Sequence, residues 1–223
     1  MAQSLIKPEH FTLPKLNENI FLFFIQHHLY LFHELVEGGK IKSYGPAKRF
    51  DFTCQGKDCT ALGGFIGAPL AVIILENAIH SGGKHIKGFG TAGCVGSHSI
   101  DIGEVHRPAE AVDETGMIRD YGGDETITQL NYQNHQPSCR RIVTVNSFYR
   151  LTEVKLEQYK TQNIDLIDME AAPLDFVSRS KGVRYDPLFV VSDKINPDHT
   201  WQYENKSAKF MAGIEMGLKQ LLD

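Results

Sequence analysis

The chain has 223 residues, 42% hydrophobic and 22% charged, which suits one packed domain over 1–223 and excludes a disordered, charge-rich chain. A net charge of −4, with basic residues scattered and forming no stripe, excludes a nucleic-acid-binding field but leaves room for small anions.

Residues 1–18, polar and holding Pro8 and Pro14, read as an irregular arm. Ile20–Ile25 reads as the first strand and Leu29–Val36 as a helix stopped by Gly38 and Gly39. The whole run Ile20–Phe32 is too short to cross a bilayer, so no membrane partner is expected. Arg49–Cys54 and Thr60–Ile66 read as a hairpin turned at 55–58. A glycine-rich loop, Gly63-Gly64-Phe65-Ile66-Gly67-Ala68-Pro69, feeds a mostly apolar helix over 70–80, with Pro69 at its start. Amides at such a start favour an anion; equally, the glycines allow tight strand–helix packing.

His85–Gly90 is a further strand. Gly88-Phe89-Gly90-Thr91-Ala92-Gly93 matches G-x-G-x-x-G, but a dinucleotide fingerprint needs a helix straight after it. Cys94–Asp101, with Gly96, Ser97 and Ser99, has no helical apolar stripe, so a Rossmann oxidoreductase is a distant rival. Gly103–Val112 reads as a strand, Glu125–Asn134 as partly helical, and Arg141–Val145 as a strand. Leu151–Tyr159 reads as a short helix with Thr152 near its start. Tyr203–Leu222 reads as an amphipathic helix whose stripe of Phe210, Ile214, Leu218 and Leu221 packs on the core. Cys54, Cys59, Cys94 and Cys139 form no C-x-x-C pair, and the histidines form no H-x-x-x-H pattern. The expectation is reduced thiols, no metal and, without a signal-peptide pattern, a cytoplasmic protein.

The rest of the chain serves residues 164–193. Ile164–Ile167 and Leu188–Val191 read as buried strands, each followed by an acid, Glu170 and Asp193. Ala171–Gly182 between them reads as a helix. Acids at the carboxyl ends of strands lie where open α/β sheets bind ligands. A single such acid serves equally well as a cap or turn residue; two at matching ends point to a site.

Asp168-Met169-Glu170-Ala171-Ala172 followed by Val191-Ser192-Asp193 resembles the nucleoside phosphorylase and nucleosidase superfamily. So does Gly90-Thr91-Ala92-Gly93 followed by Ile102-Gly103-Glu104-Val105, and the likeness reaches back to about Thr60. The resemblance implies a three-layer α/β/α fold with a central mixed, mostly parallel sheet. It also implies a homo-oligomer (dimer, trimer or hexamer) that cleaves the N-glycosidic bond of a nucleoside.

That cleavage passes through an oxocarbenium-like sugar while charge moves onto the base. Glu170 suits the ribose hydroxyls, because a carboxylate accepts two hydrogen bonds; Met169 would assist it. Asp193 is the candidate general acid toward the base, a role worth about 10² to 10⁴ in rate. It would need a desolvated setting to hold its proton. In the family an Asp after Ser goes with purine substrates. Phe148 resembles the base-stacking aromatic, a contact worth about 1–3 kcal/mol, although core packing is the plain alternative. Ala92 and Gly93 would line the base with backbone. Thr91 would meet phosphate or the attacking water, and Gly67 would lie beside the sugar and phosphate pocket. No cofactor is implied beyond inorganic phosphate as co-substrate.

The match departs where phosphate should bind. The family's Gly-Asp-Pro-x-Arg is replaced by Phe24-Ile25-Gln26-His27-His28, and Gly88 stands where a second arginine is expected. Lys87 points to the opposite face of its strand, which leaves Lys48, Arg49, Arg119 and Arg150 as candidate replacements. Phosphorolysis remains the first expectation, on its frequency in the family that the chain resembles. Hydrolysis by water is the alternative, and a non-catalytic nucleoside sensor is the rival from another class. Pro173, directly after Glu-Ala-Ala, fits only in a first helical turn.

Overall fold

The computed structural model describes residues 4–95, 99–132 and 135–223. Asn19–Phe23 (β1) is buried at every position after Asn19, as a strand must be when helices cover both faces of its sheet. It leads into α1 (Gln26–Leu35). Next come β2 (Lys42–Tyr44), β3 (Ala47–Cys54) and β4 (Lys57–Gly63), an antiparallel meander whose last strand lies parallel to β1. The β3–β4 turn is tighter than the sequence suggests. Only Gln55 and Gly56 lie between the strands, with φ of 50° and 74°, the left-handed pair a two-residue hairpin requires.

After α2 (Ala68–His80) comes β5 (His85–Cys94), the strand shared by both halves of the sheet. It does not stop at Gly90 as expected but runs on through Thr91, Ala92 and Gly93 to Cys94. The G-x-G-x-x-G residues are thus strand and open no helix, which removes the dinucleotide fingerprint. Residues 96–98 of the following segment lie outside the described residues.

The expected strand over 103–112 is two strands, β6 (Val105–His106) and β7 (Pro108–Asp113). They break at Arg107, before a proline that has no amide for the ladder. After α3 (Met117–Asp120), the helix expected over 125–134 is replaced by a strand, β8 (Ile127–Gln129), paired antiparallel to β7. The pairing buries Thr128; the segment offers no apolar helical stripe to compete. Residues 133 and 134 lie outside the described residues.

Then follow β9 (Cys139–Thr144), α4 (Glu153–Thr161), β10 (Leu166–Asp168), α5 (Ala171–Ser180), β11 (Arg184–Ile195), β12 (Trp201–Tyr203) and α6 (Ala208–Gln220). Thr152 caps α4, its hydroxyl accepting from the Lys155 amide at 3.3 Å. The last helix begins later than expected. Tyr203 belongs to β12, and Ser207 caps α6 by accepting from Phe210 N at 3.1 Å. The expected stripe of Phe210, Ile214, Leu218 and Leu221 is buried.

The sheet is mixed, with parallel strands at its centre. One edge of β5 pairs first with β1 and then, beyond the end of β1, with β10; the other edge pairs with β11 along its whole length. From β10 the ladder passes to β9 and β7, while β6, one residue before β7, pairs with β11. The circuit β5–β10–β9–β7/β6–β11 therefore closes on itself, and β1, β4, β3 and β2 extend from it as a wing. The expected strand–helix–strand unit is present with a correction: β5 lies between its strands, β10 running antiparallel and β11 parallel to it. Phe89 of β5 meets His28 of α1 (ring centroids 5.3 Å apart) and Gly217 of α6, so those helices cover one face. On the other side α2 packs against α5. Among the described residues no helix is long and apolar enough to cross a membrane.

Candidate active site

Glu170 is the N-cap of α5 and almost wholly buried, at 4% exposure. Its place is set by a polar knot. Asp168 Oδ2 accepts the amides of Glu170 (3.0 Å) and Ala171 (2.7 Å), and Oδ1 accepts the Thr144 hydroxyl (2.7 Å). Thr144 Oγ1 in turn accepts the Ala172 amide at 3.0 Å. The ends of β9 and β10 thus supply acceptors for the open amides of α5. Pro173, one residue further on, falls in the first turn, where its missing amide costs nothing.

The Glu170 carboxylate reaches to the N-cap of α2, where Gly67 N donates to Oε1 at 2.6 Å. Gly67 has φ of 95°, a left-handed conformation that suits glycine. Two of the residues singled out from sequence are therefore in direct contact, and the Gly67 amide is engaged by Glu170. Burial pushes the Glu170 pKa up, and the neighbouring Asp168 charge pushes it further; the Gly67 bond opposes both. Burial likewise raises Asp168, against the three donors it accepts.

Asp193 lies across β5. A β-bulge at Ser192 shifts the register so that Val191 pairs with Ala92 and Asp193 with Gly93. Bulges re-aim side chains at sites of this kind. Asp193 is therefore inside β11 and half-buried, not beyond the end of the strand. Gly93 makes room for it, since a Cβ there would stand 2.8 Å from Asp193 Oδ1 and 3.1 Å from Ile167 Cγ2. Ser192 Oγ donates to Asp193 Oδ2 at 2.6 Å, and Trp201 Nε1 donates to Oδ1 at 2.9 Å.

Gly93 thus has Ile167 of β10 on one side and Asp193 of β11 on the other, with Glu170 three residues past Ile167. Half-buried Thr91 alternates with Ala92 along β5 and so shares the face of Gly93. Met169 is half-buried between the two acids of its motif. Phe148 lies in a single helical turn after β9, 49% exposed and against Tyr149 at 4.3 Å between ring centroids. Its exposure excludes the core-packing reading.

The departures also have a physical form. A Cβ at Gly88 would meet the Tyr185 hydroxyl at 2.7 Å, so a buried tyrosine occupies the space an arginine would need. Of the candidate replacements, Arg49 pairs with Asp51 at 2.7 Å and Lys48 approaches Ser43. Arg119 lies in α3, and Arg150 in the turn that carries Phe148.

Thr144 and Trp201 also belong to the site, although no motif in the sequence marks them. Thr144 carries no local signal, because its partners lie more than twenty residues away. Trp201 is the chain's one tryptophan, eight residues past Asp193, and only the β11–β12 hairpin shows why that spacing matters.

A family model described as the phosphorylase superfamily matches residues 42–221. No curated protein matches the chain in sequence. Among solved structures, purine nucleoside phosphorylase from Toxoplasma gondii in complex with immucillin-H superposes with a TM-score of 0.80 at 19% identity. That alignment covers 100% of this chain and 96% of the other. Uridine phosphorylase from Vibrio fischeri ES114 superposes with a TM-score of 0.81 at 20% identity, covering 99% of this chain and 98% of the other. These likenesses carry the α/β fold with its mixed central sheet; the family match carries membership. The chain belongs to the phosphorylase superfamily and is an enzyme of the nucleoside phosphorylase type.

Proposed function

We propose that the enzyme cleaves purine nucleosides by phosphorolysis, releasing the base and ribose 1-phosphate. The observation that supports this most is the convergence of Glu170 and Asp193 on either side of the Gly93 segment of β5. Glu170 takes the ribose hydroxyls, whose donation offsets the cost of its desolvated charge. Asp193, following Ser192, faces the base and favours a purine. Phe148 supplies an exposed ring for stacking, and Ala92 and Gly93 supply backbone. Met169 backs the sugar, Thr91 meets the nucleophile, and Gly67 holds Glu170 at the sugar side. No cofactor beyond phosphate is invoked, and the four free cysteines support a cytoplasmic location. Exposed Ile66 and Ile73, flanking the start of α2 at 62% and 53% exposure, support a homo-oligomer in which a second copy covers that end of the site.

The second reading, hydrolysis, draws on the tyrosine-filled space at Gly88. Assaying base release from purine and pyrimidine nucleosides, each with and without phosphate, separates the readings. Phosphate-dependent release of purines with ribose 1-phosphate is the expected result. Release that ignores phosphate makes the enzyme a hydrolase, and preferential release from uridine overturns the purine assignment.

A further inference from the structure

Asp193 does not stand free. Both its oxygens are held, Oδ2 by the Ser192 hydroxyl and Oδ1 by the Trp201 indole N–H. The two donors differ in kind. A hydroxyl rotates and can donate or accept, whereas an indole N–H only donates. Trp201 therefore fixes Oδ1 as an acceptor, and any proton exchanged with a ligand must pass through Oδ2. The indole is placed by the β11–β12 ribbon, in which Asp193 pairs with Tyr203 and Ile195 with Trp201, so that it reaches Asp193 along the diagonal. It lies on the Tyr203 ring with centroids 5.2 Å apart and planes within 17°. At 55% exposure Trp201 is not a core residue; its stacking and its bond to Asp193 are what hold it.

We infer that Trp201 is a positioning residue for Asp193. Its N–H pins Oδ1, turns Oδ2 toward the base, and thereby sets the efficiency of base departure. This inference rests on the reading of Asp193 as the group that faces the base.

Because Trp201 is the single tryptophan, its fluorescence reports the contact without any turnover. In the unliganded protein, Asp193→Ala, which removes the acceptor of the indole N–H, is expected to shift the Trp201 emission; unchanged emission overturns the inference whatever the activity proves to be. In kinetics on the best purine nucleoside, Trp201→Phe is expected to lower kcat by about tenfold with KM within about threefold, and to displace the pH profile of kcat. Trp201→Phe/Asp193→Asn is expected to be no slower than Asp193→Asn alone, because the two act as one unit. Additive losses with an unmoved pH profile would make Trp201 a mere hairpin stabiliser and overturn the proposal. If the wild type cleaves no nucleoside, the functional reading fails while the emission result still decides the contact.

Discussion

Glu170 sits among groups that oppose its charge. It is buried, and it is two residues from another buried acid. Its folded pKa lies above its unfolded value. The stability tied to its protonated form is therefore full at acid pH and is lost as pH climbs through the folded pKa. Glu170→Gln keeps an acceptor for the Gly67 amide and removes the charge. The expected outcome is a melting temperature at pH 8–9 equal to or above wild type, measured by thermal denaturation, with KM for nucleoside raised at least about tenfold. A variant with unchanged KM would reduce Glu170 to a structural role. The pairing of weaker fold energetics with stronger ligand binding is what a ribose-binding acid predicts and a plain cap does not.

At the scale of elements, α5 begins where β9, β10 and α2 meet, and Thr144 is the pin. Its single hydroxyl donates to Asp168 and accepts from Ala172. Thr144→Val conserves shape but leaves both partners short of a bond in a fully buried place. The expected loss is about 1–3 kcal/mol in urea unfolding, from the cost of unsatisfied buried groups. The start of α5 should loosen with it, seen as faster hydrogen exchange at the Glu170 and Ala171 amides. The two ends of the candidate site differ in this respect. Glu170 is locked by the polar knot, whereas Asp193 depends on a bulge and an exposed hairpin.

For the whole molecule, acid sensitivity has a named source in His28. It is 4% exposed, its Nδ1 has no partner among the described residues, and its ring meets Phe89 edge-on. Burial, followed by the charge of His27, pushes its pKa down to about 4. The sign is opposite to that of Glu170. The imidazole is neutral in the fold and charges in the unfolded chain, so stability is full above about pH 6.5 and falls as pH drops toward about 4. The effect is at most roughly 3 kcal/mol. His28→Phe keeps an aromatic ring against Phe89 and should flatten the acid arm of melting temperature against pH; an unaltered arm would falsify this assignment.

Local chemistry decided a good part of this protein in advance. The apolar run of β1, the amphipathic stripe of α6 and the Thr152 cap are short-range patterns, and each forms the expected kind of element. The motif Asp168-Met169-Glu170 with Ser192-Asp193 likewise marked the family. Tertiary pairing decided the rest. Residues 125–134 carry too weak a helical stripe to resist the open edge of β7, and β5 runs past Gly90 because β10 and β11 pair with its far end. The bulge at Ser192, the Tyr185 ring over Gly88 and the reach of Trp201 to Asp193 all join residues from different strands. No window of sequence contains such contacts, because a strand's register and its neighbours are properties of the closed sheet, not of the strand.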